Sequence, residues 1–96
     1  MATESTVLKS LIRNAIARGY LISVHDGEEW AVVKSKDATA IFEAATATDE
    51  SNLRFRLIGG EFIGTVYLVF GNSPEELIAD YSDNDAIRAL VDSVEV

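Results

Sequence analysis

From residue 6 to 18, TVLKSLIRNAIAR, the apolar positions Leu8, Leu11, Ile12, Ala15 and Ile16 recur at intervals of three and four, the spacing of one helical face. Ser5 or Thr6 is available as N-cap and Gly19 as terminator. The polar side of this helix carries Lys9 and Arg13, four residues apart.

Beyond Gly19 the pattern changes to β-branched and aromatic runs. YLISVH (20–25) and WAVVKS (30–35) flank Asp26-Gly27-Glu28-Glu29, a stretch suited to turning a hairpin. If all four residues join the strands, Ile22, Val24, Ala31 and Val33 share the buried face and His25 meets Trp30 on the other one. A two-residue Asp-Gly turn would instead bring Glu29 opposite Val24 on the buried face, which is the costlier arrangement, so the longer loop is favoured.

Asp37 can cap a short helix, DATAIFEAAT, with Ala38, Ile41, Phe42 and Ala45 as its apolar stripe, and the polar stretch 46–52 ends it. LRFRLI (53–58) alternates strictly, with Leu53, Phe55 and Leu57 on one side and Arg54 and Arg56 on the other. Gly59-Gly60 turns the chain into FIGTVYLVF (62–70), which is apolar on both faces and so predicts a strand covered on both sides or lying beneath a helix.

The segment 73–85 carries two signals. Ser73, Pro74, Glu75 and Glu76 are helix-start chemistry, whereas Leu77 to Tyr81 reads as a third strand of a meander. The strand is preferred, because Asn84 and Asp85 supply a separate start for the closing helix, AIRALVDSV. The predicted order is helix, two strands, helix, three strands, helix. This describes an α+β chain: one small domain over residues 1–96, with an antiparallel sheet of four to five strands (two hairpins, or a hairpin plus a meander) packed with two to three helices.

Charge narrows the functional classes. The formal net charge is -8, divided as -1 over residues 1–48 and -7 over residues 49–96. Such a surface repels phosphate backbones and anionic lipid heads, so neither direct nucleic-acid binding nor membrane binding is expected, and a protein partner with a basic surface is. The chain has no cysteine, which removes disulfides and every thiolate-based site from consideration. The N-terminus lacks the features of a signal peptide and no apolar run approaches membrane-spanning length, so a cytoplasmic location is expected.

The candidate chemistry is sparse. VHDGEEW (24–30) sets the only histidine and the only tryptophan around three carboxylates. One histidine without a cysteine is a poor donor set for zinc or iron, so His25 with Asp26, Glu28 and Glu29 is read as a hairpin whose His25 and Trp30 pair across the strands, not as a metal site. Asp80, Asp83 and Asp85 lack the glycine and terminal glutamate of a calcium loop, and GGEFIG (59–64) lacks the lysine and strand-to-helix context of a phosphate loop. No nucleophile motif accompanies His25. The expectation is therefore a protein with no catalytic residues, no metal and no cofactor.

The phrases SVHDGEEW, TDESNLRFR, VYLVFGN and LIADYSDN, spread over residues 19–85, together resemble a group of short, largely uncharacterised proteins of proteobacterial phages and mobile elements. The resemblance carries over no individual site residue. What it implies is a context in which small acidic proteins act as inhibitors of host defence, anti-CRISPR proteins among them, some by presenting carboxylates in place of nucleic-acid phosphates. Residues and resemblance together predict a non-enzymatic protein in the host cytoplasm that binds a host nucleic-acid-handling complex through an acidic surface. Its candidate contacts are Asp49, Glu50, Glu61, Glu75, Glu76, Asp80, Asp83, Asp85 and Asp92, with Trp30 as a candidate interface anchor. The alternative is a phage or host accessory protein without inhibitory role, forming a homodimer through an edge strand or Trp30.

Overall fold

The computed structural model describes residues 3–25, 29–71 and 73–94. Helix α1 spans Glu4–Ala17, two residues earlier than its apolar stripe suggests, and its N-cap is Thr3 rather than Ser5 or Thr6. Thr6 is the partner three residues on: its amide donates to Thr3 Oγ1 at 3.2 Å while the Thr3 amide donates to Thr6 Oγ1 at 2.7 Å. This reciprocal box satisfies two amides at a helix start that would otherwise lack partners. The helix ends where Gly19 adopts φ +85°, a conformation that glycine takes without a Cβ penalty. Val7, Leu8, Leu11, Ile12 and Ala15 are buried.

Strands β1 (Tyr20–His25) and β2 (Trp30–Ser35) form the expected antiparallel pair; residues 26–28 of the predicted turn lie outside the described residues. His25 pairs with Trp30 as expected, but the expected inward positions of Ala31 and Val33 are not found. Val24 faces Val32, which packs on the core, and Ile22 faces Ser35, while Ala31 is exposed and Val33 is 62% exposed. The cause is two register irregularities, one of which includes Lys34 at φ +49°. Each extra residue reverses the side chains that follow it. The buried hydroxyl of Ser23 supports the irregularity by accepting from the Lys34 amide at 2.8 Å.

Helix α2 (Ala38–Ala45) starts as predicted at Asp37, whose Oδ1 accepts from the amides of Thr39 and Ala40. Strand β3 (Glu50–Leu57) begins three residues before LRFRLI. The polar stretch therefore supplies strand residues, including a serine on the inward face. Ser51 is 1% exposed and donates through Oγ to the Ala45 carbonyl at 2.9 Å, so its burial leaves that hydroxyl and a helix-end carbonyl satisfied.

Strand β4 (Phe62–Val69) follows a turn in which Gly60 has φ +97°. Its Gly64, Val66 and Leu68 are buried, and it lies beneath helix α3 (Asp85–Asp92), the second of the two expected arrangements. Between them the two competing signals of residues 73–81 are both used: Pro74–Glu76 makes one 3₁₀ turn and Ile78–Tyr81 makes β5. Asn84 caps α3, accepting from the Ile87 amide at 2.9 Å while its Nδ2 donates to the Ile63 carbonyl at 3.0 Å, which fastens the helix start to β4.

The sheet is antiparallel throughout in the order β2-β1-β3-β4-β5. One core joins Ile22, Val24, Leu53, Phe55, Val66 and Leu68 from one sheet face to the buried stripes of the three helices. The molecule is thus two layers, and among the described residues no helix lies on the second face of the sheet. Among the described residues no helix is long and apolar enough to cross a membrane.

Candidate functional site

The uncovered sheet face is laid out by register. One row crosses all five strands, Trp30, His25, Asn52, Tyr67 and Asp80, each paired with the next. The next row is Ser23, Arg54 and Thr65, and the one after it Leu21, Arg56 and Phe62. Phe62 reaches this row because β4 has an irregularity between its pairings of Phe55 with Gly64 and Arg56 with Phe62, so Ile63 turns toward the core and Phe62 away from it.

The side chains then interleave across three strands. The Arg54 guanidinium carbon lies 5.0 Å from the Trp30 ring centre and 5.4 Å from that of Phe62, and Arg56 lies 5.4 Å from the same Phe62 ring. Such distances are within cation-π range. His25 meets Trp30 edge-on at 4.9 Å and 81°. Trp30 and Phe62 remain 43% and 49% exposed. Arg54 Nε is enclosed and has no hydrogen-bond partner among the described residues. Beside these groups run shallow depressions of about 140 Å³ (Ser23, Val33, Lys34, Arg56 with Trp30 and Arg54), 370 Å³ (His25, Asn52, Thr65 with Trp30 and Arg54) and 440 Å³ (Asn52, Thr65, Tyr67, Asp80, Tyr81, Ser82). Shared lining residues make them one furrow across the strands. At its margin Tyr67 Oη donates to Glu50 Oε2 at 2.6 Å, and that hydrogen bond, with burial and the carboxylate charge adding, holds the phenol above its ordinary value.

The nine candidate carboxylates are all exposed. Glu75 and Glu76 lie on the 3₁₀ turn, Asp80 on the edge strand, Asp83 in the turn just before α3, and Asp85 and Asp92 at the first and last positions of α3. Asp49 and Glu50 stand at the adjoining end of the β3–β4 hairpin, since Glu50 pairs with Val69. Glu61 is apart, at the turn of that hairpin, where its carbonyl accepts from the Leu57 amide. Arg88 pairs with Asp83 and, at 3.8 Å, with Asp85, and Asp80 Oδ1 accepts from the Tyr81 amide at 2.9 Å, so part of the acidity is used within the fold. The acidic flank and the arginine face are therefore neighbouring regions of one sheet.

Among the described residues no three histidine, cysteine, aspartate or glutamate side chains are grouped to hold a metal ion, and Asp26 and Glu28 of the histidine hairpin lie outside those residues. The groove between α1 and α2, about 470 Å³, is lined by Lys9, Ile12, Arg13, Ala38, Thr39, Phe42 and Glu43, with Lys9 Nζ 5.1 Å over the Phe42 ring.

Arg54 and Arg56 were visible in the sequence only as the polar side of an alternating strand. Two arginines two residues apart on one face was the available signal; the rings they meet come from other strands, 24 residues before Arg54 and six after Arg56, and no local pattern brings these together. Compared with known protein families, curated proteins and solved structures, the chain gives no match.

Proposed function

We propose that this chain is a non-enzymatic binding protein that docks a basic surface of a partner protein through its acidic flank. The observation that carries the reading is the run of exposed carboxylates Glu75, Glu76, Asp80, Asp83 and Asp85 along one edge of the sheet and the start of α3. Arg88 is the sole base after Arg56 in the chain, so little positive charge offsets that edge. Carboxylates there would pair with lysines and arginines of a groove that otherwise holds nucleic-acid phosphates, speeding encounter and excluding the natural ligand. On the sequence resemblance to phage and mobile-element proteins, the partner would be a host nucleic-acid-handling complex and the outcome its inhibition.

The test is capture of host proteins on immobilised chain, compared with a variant in which Glu75, Glu76, Asp80 and Asp83 are changed to lysine. A partner retained by the parent, lost by the variant and displaced by nucleic acid supports the reading. A partner retained equally by both, or one whose own nucleic-acid groove stays occupied in the complex, overturns it.

A further inference from the structure

The helix-free face of the sheet carries a second binding surface, whose charge is opposite to that of the flank. Arg54 and Arg56 stand at its centre and Lys34 at its margin. The Trp30 and Phe62 rings lie 5.0 and 5.4 Å from the Arg54 guanidinium carbon and so restrict that side chain, and its Nε has no partner among the described residues. A guanidinium held in this way presents a fixed fork to oxygens of an anion, with less side-chain freedom to lose on binding. Anions alone, however, would make no use of the other half of the surface. Trp30 and Phe62 are 43% and 49% exposed, and the furrow beside Trp30 offers the amide of Asn52 and the hydroxyl of Thr65.

From this juxtaposition we infer that the open sheet face binds a short stretch of single-stranded nucleic acid, Arg54, Arg56 and Lys34 taking phosphates and the exposed rings taking bases. Aromatic side chains interleaved with arginine are how sequence-tolerant single-strand sites are built, since every base has a face to stack and every nucleotide a phosphate. A peptide of carboxylates alone matches the arginines but leaves the rings unused, whereas each nucleotide brings both a phosphate and a base, so the nucleic acid is the better fit. Net charge argues the other way for the molecule as a whole; of the carboxylates bordering this face, Glu50 is engaged by Tyr67, and Asp80, which shares the furrow, accepts from the Tyr81 amide. The binding is accordingly weak and favoured at low salt.

Trp30 is the only tryptophan, so its emission reports on the face directly. Oligothymidylate and oligouridylate of about ten nucleotides are titrated into the whole chain at low salt, with Trp30 emission and the anisotropy of a labelled strand as readouts. Saturable quenching is expected, with affinity falling about tenfold in Trp30→Ala and in Arg54→Ala. The logarithm of affinity should fall with that of salt at a slope of about -1.4 to -2.1, the value for two to three phosphates on a single strand. Should Arg54→Ala fail to fold, Arg56→Gln and Lys34→Gln, at less enclosed positions, are expected to weaken binding and flatten the salt slope. Changing Glu75 and Glu76 to lysine should not reduce binding, which separates this surface from the acidic flank. The proposal is overturned by absence of quenching up to millimolar strand, by binding that survives the arginine and Trp30 changes, or by a glutamate-rich peptide that binds the face more tightly than either strand.

Discussion

Gly64 lies directly under Ile87. A Cβ built on this glycine would stand 2.5 Å from Ile87 Cγ1, closer than packed carbons approach, and 3.1 Å from both Ile87 Cδ1 and Ser82 Cβ, a tight contact. The absence of a side chain at Gly64 is thus what lets α3 settle on β4. Gly64→Ala should destabilise the fold by about 1 to 3 kcal/mol, the usual cost of overfilling a packed site. Combined with Ile87→Ala, the two losses should sum to less than their separate values, because the smaller residue at 87 removes the obstruction. Urea unfolding of both single variants and the double variant checks this, and strict additivity would count against the packing argument.

The two sides of α1 should respond differently to truncation. Leu11→Ala and Ile12→Ala remove side chains that are 0% and 1% exposed and should each cost about 2 to 5 kcal/mol. Lys9→Ala removes only an exposed cation over the Phe42 ring, worth up to about 1 kcal/mol. Comparable small losses at all three positions in denaturant melts would mean that α1 does not belong to the core.

Tyr67 gives a pH signature. Its phenol is held above the ordinary value of 10.0, chiefly by the hydrogen bond to Glu50. A folded value above the unfolded one stabilises the protein fully below the unfolded value, and the contribution disappears as pH rises through the folded value. Glu50→Gln should move the Tyr67 titration down toward 10.0. Ultraviolet titration of the phenolate band, with Tyr67→Phe subtracted to isolate this group from Tyr20 and Tyr81, measures the shift; an upward move would refute the assignment.

For the acidic flank, salt is the discriminating variable. If carboxylate pairing drives docking to a basic partner, affinity should fall steeply between about 50 and 200 mM salt, as screening shortens the reach of charge to about 8 to 10 Å. Trp30→Ala should leave that interaction within a few-fold of the parent, since Trp30 lies on β2, at the opposite edge of the sheet from β5. Calorimetric titration at several salt concentrations checks both. Salt-insensitive binding lost on removal of Trp30 would move the interface to the open face.

The features that could be read along the chain were those with local periodicity. The buried stripe of α1, the alternation of Leu53, Phe55 and Leu57, and the caps at Asp37 and Asn84 each depend on residues within a few positions of one another and are found, while of the α2 stripe Ile41 and Ala45 are buried, Phe42 is half-buried and Ala38, at the first position of the helix, is exposed. What escaped depended on a distant partner or a break in period. Val33 was assigned inward because strict alternation assumes no extra residue, and the left-handed Lys34 that breaks it is stabilised by Ser23, eleven positions away. The start of β3 was missed because Ser51 is polar, and only the Ala45 carbonyl explains why it can be buried. The carboxylates were legible one by one, whereas the alternation of Trp30, Arg54, Phe62 and Arg56 exists only once three strands are side by side.

The two outer strands bear on how copies of this molecule could meet. On one border, β2 is interrupted by its irregularities and by the left-handed Lys34, so its outer groups do not form a straight ladder. On the other, β5 has four residues. Ser82 donates inward to the Thr65 carbonyl, so the amide one residue earlier, that of Tyr81, is directed outward, and the Asp80 carboxylate takes it at 2.9 Å. A further strand arriving at that border would find a donor occupied and a negative charge beside it. Neither border thus offers a template for sheet extension, and this blunting is a common protection against fibrous association. Growth from molecule to molecule along the sheet is disfavoured at both ends, so contacts with other molecules are expected through faces rather than borders.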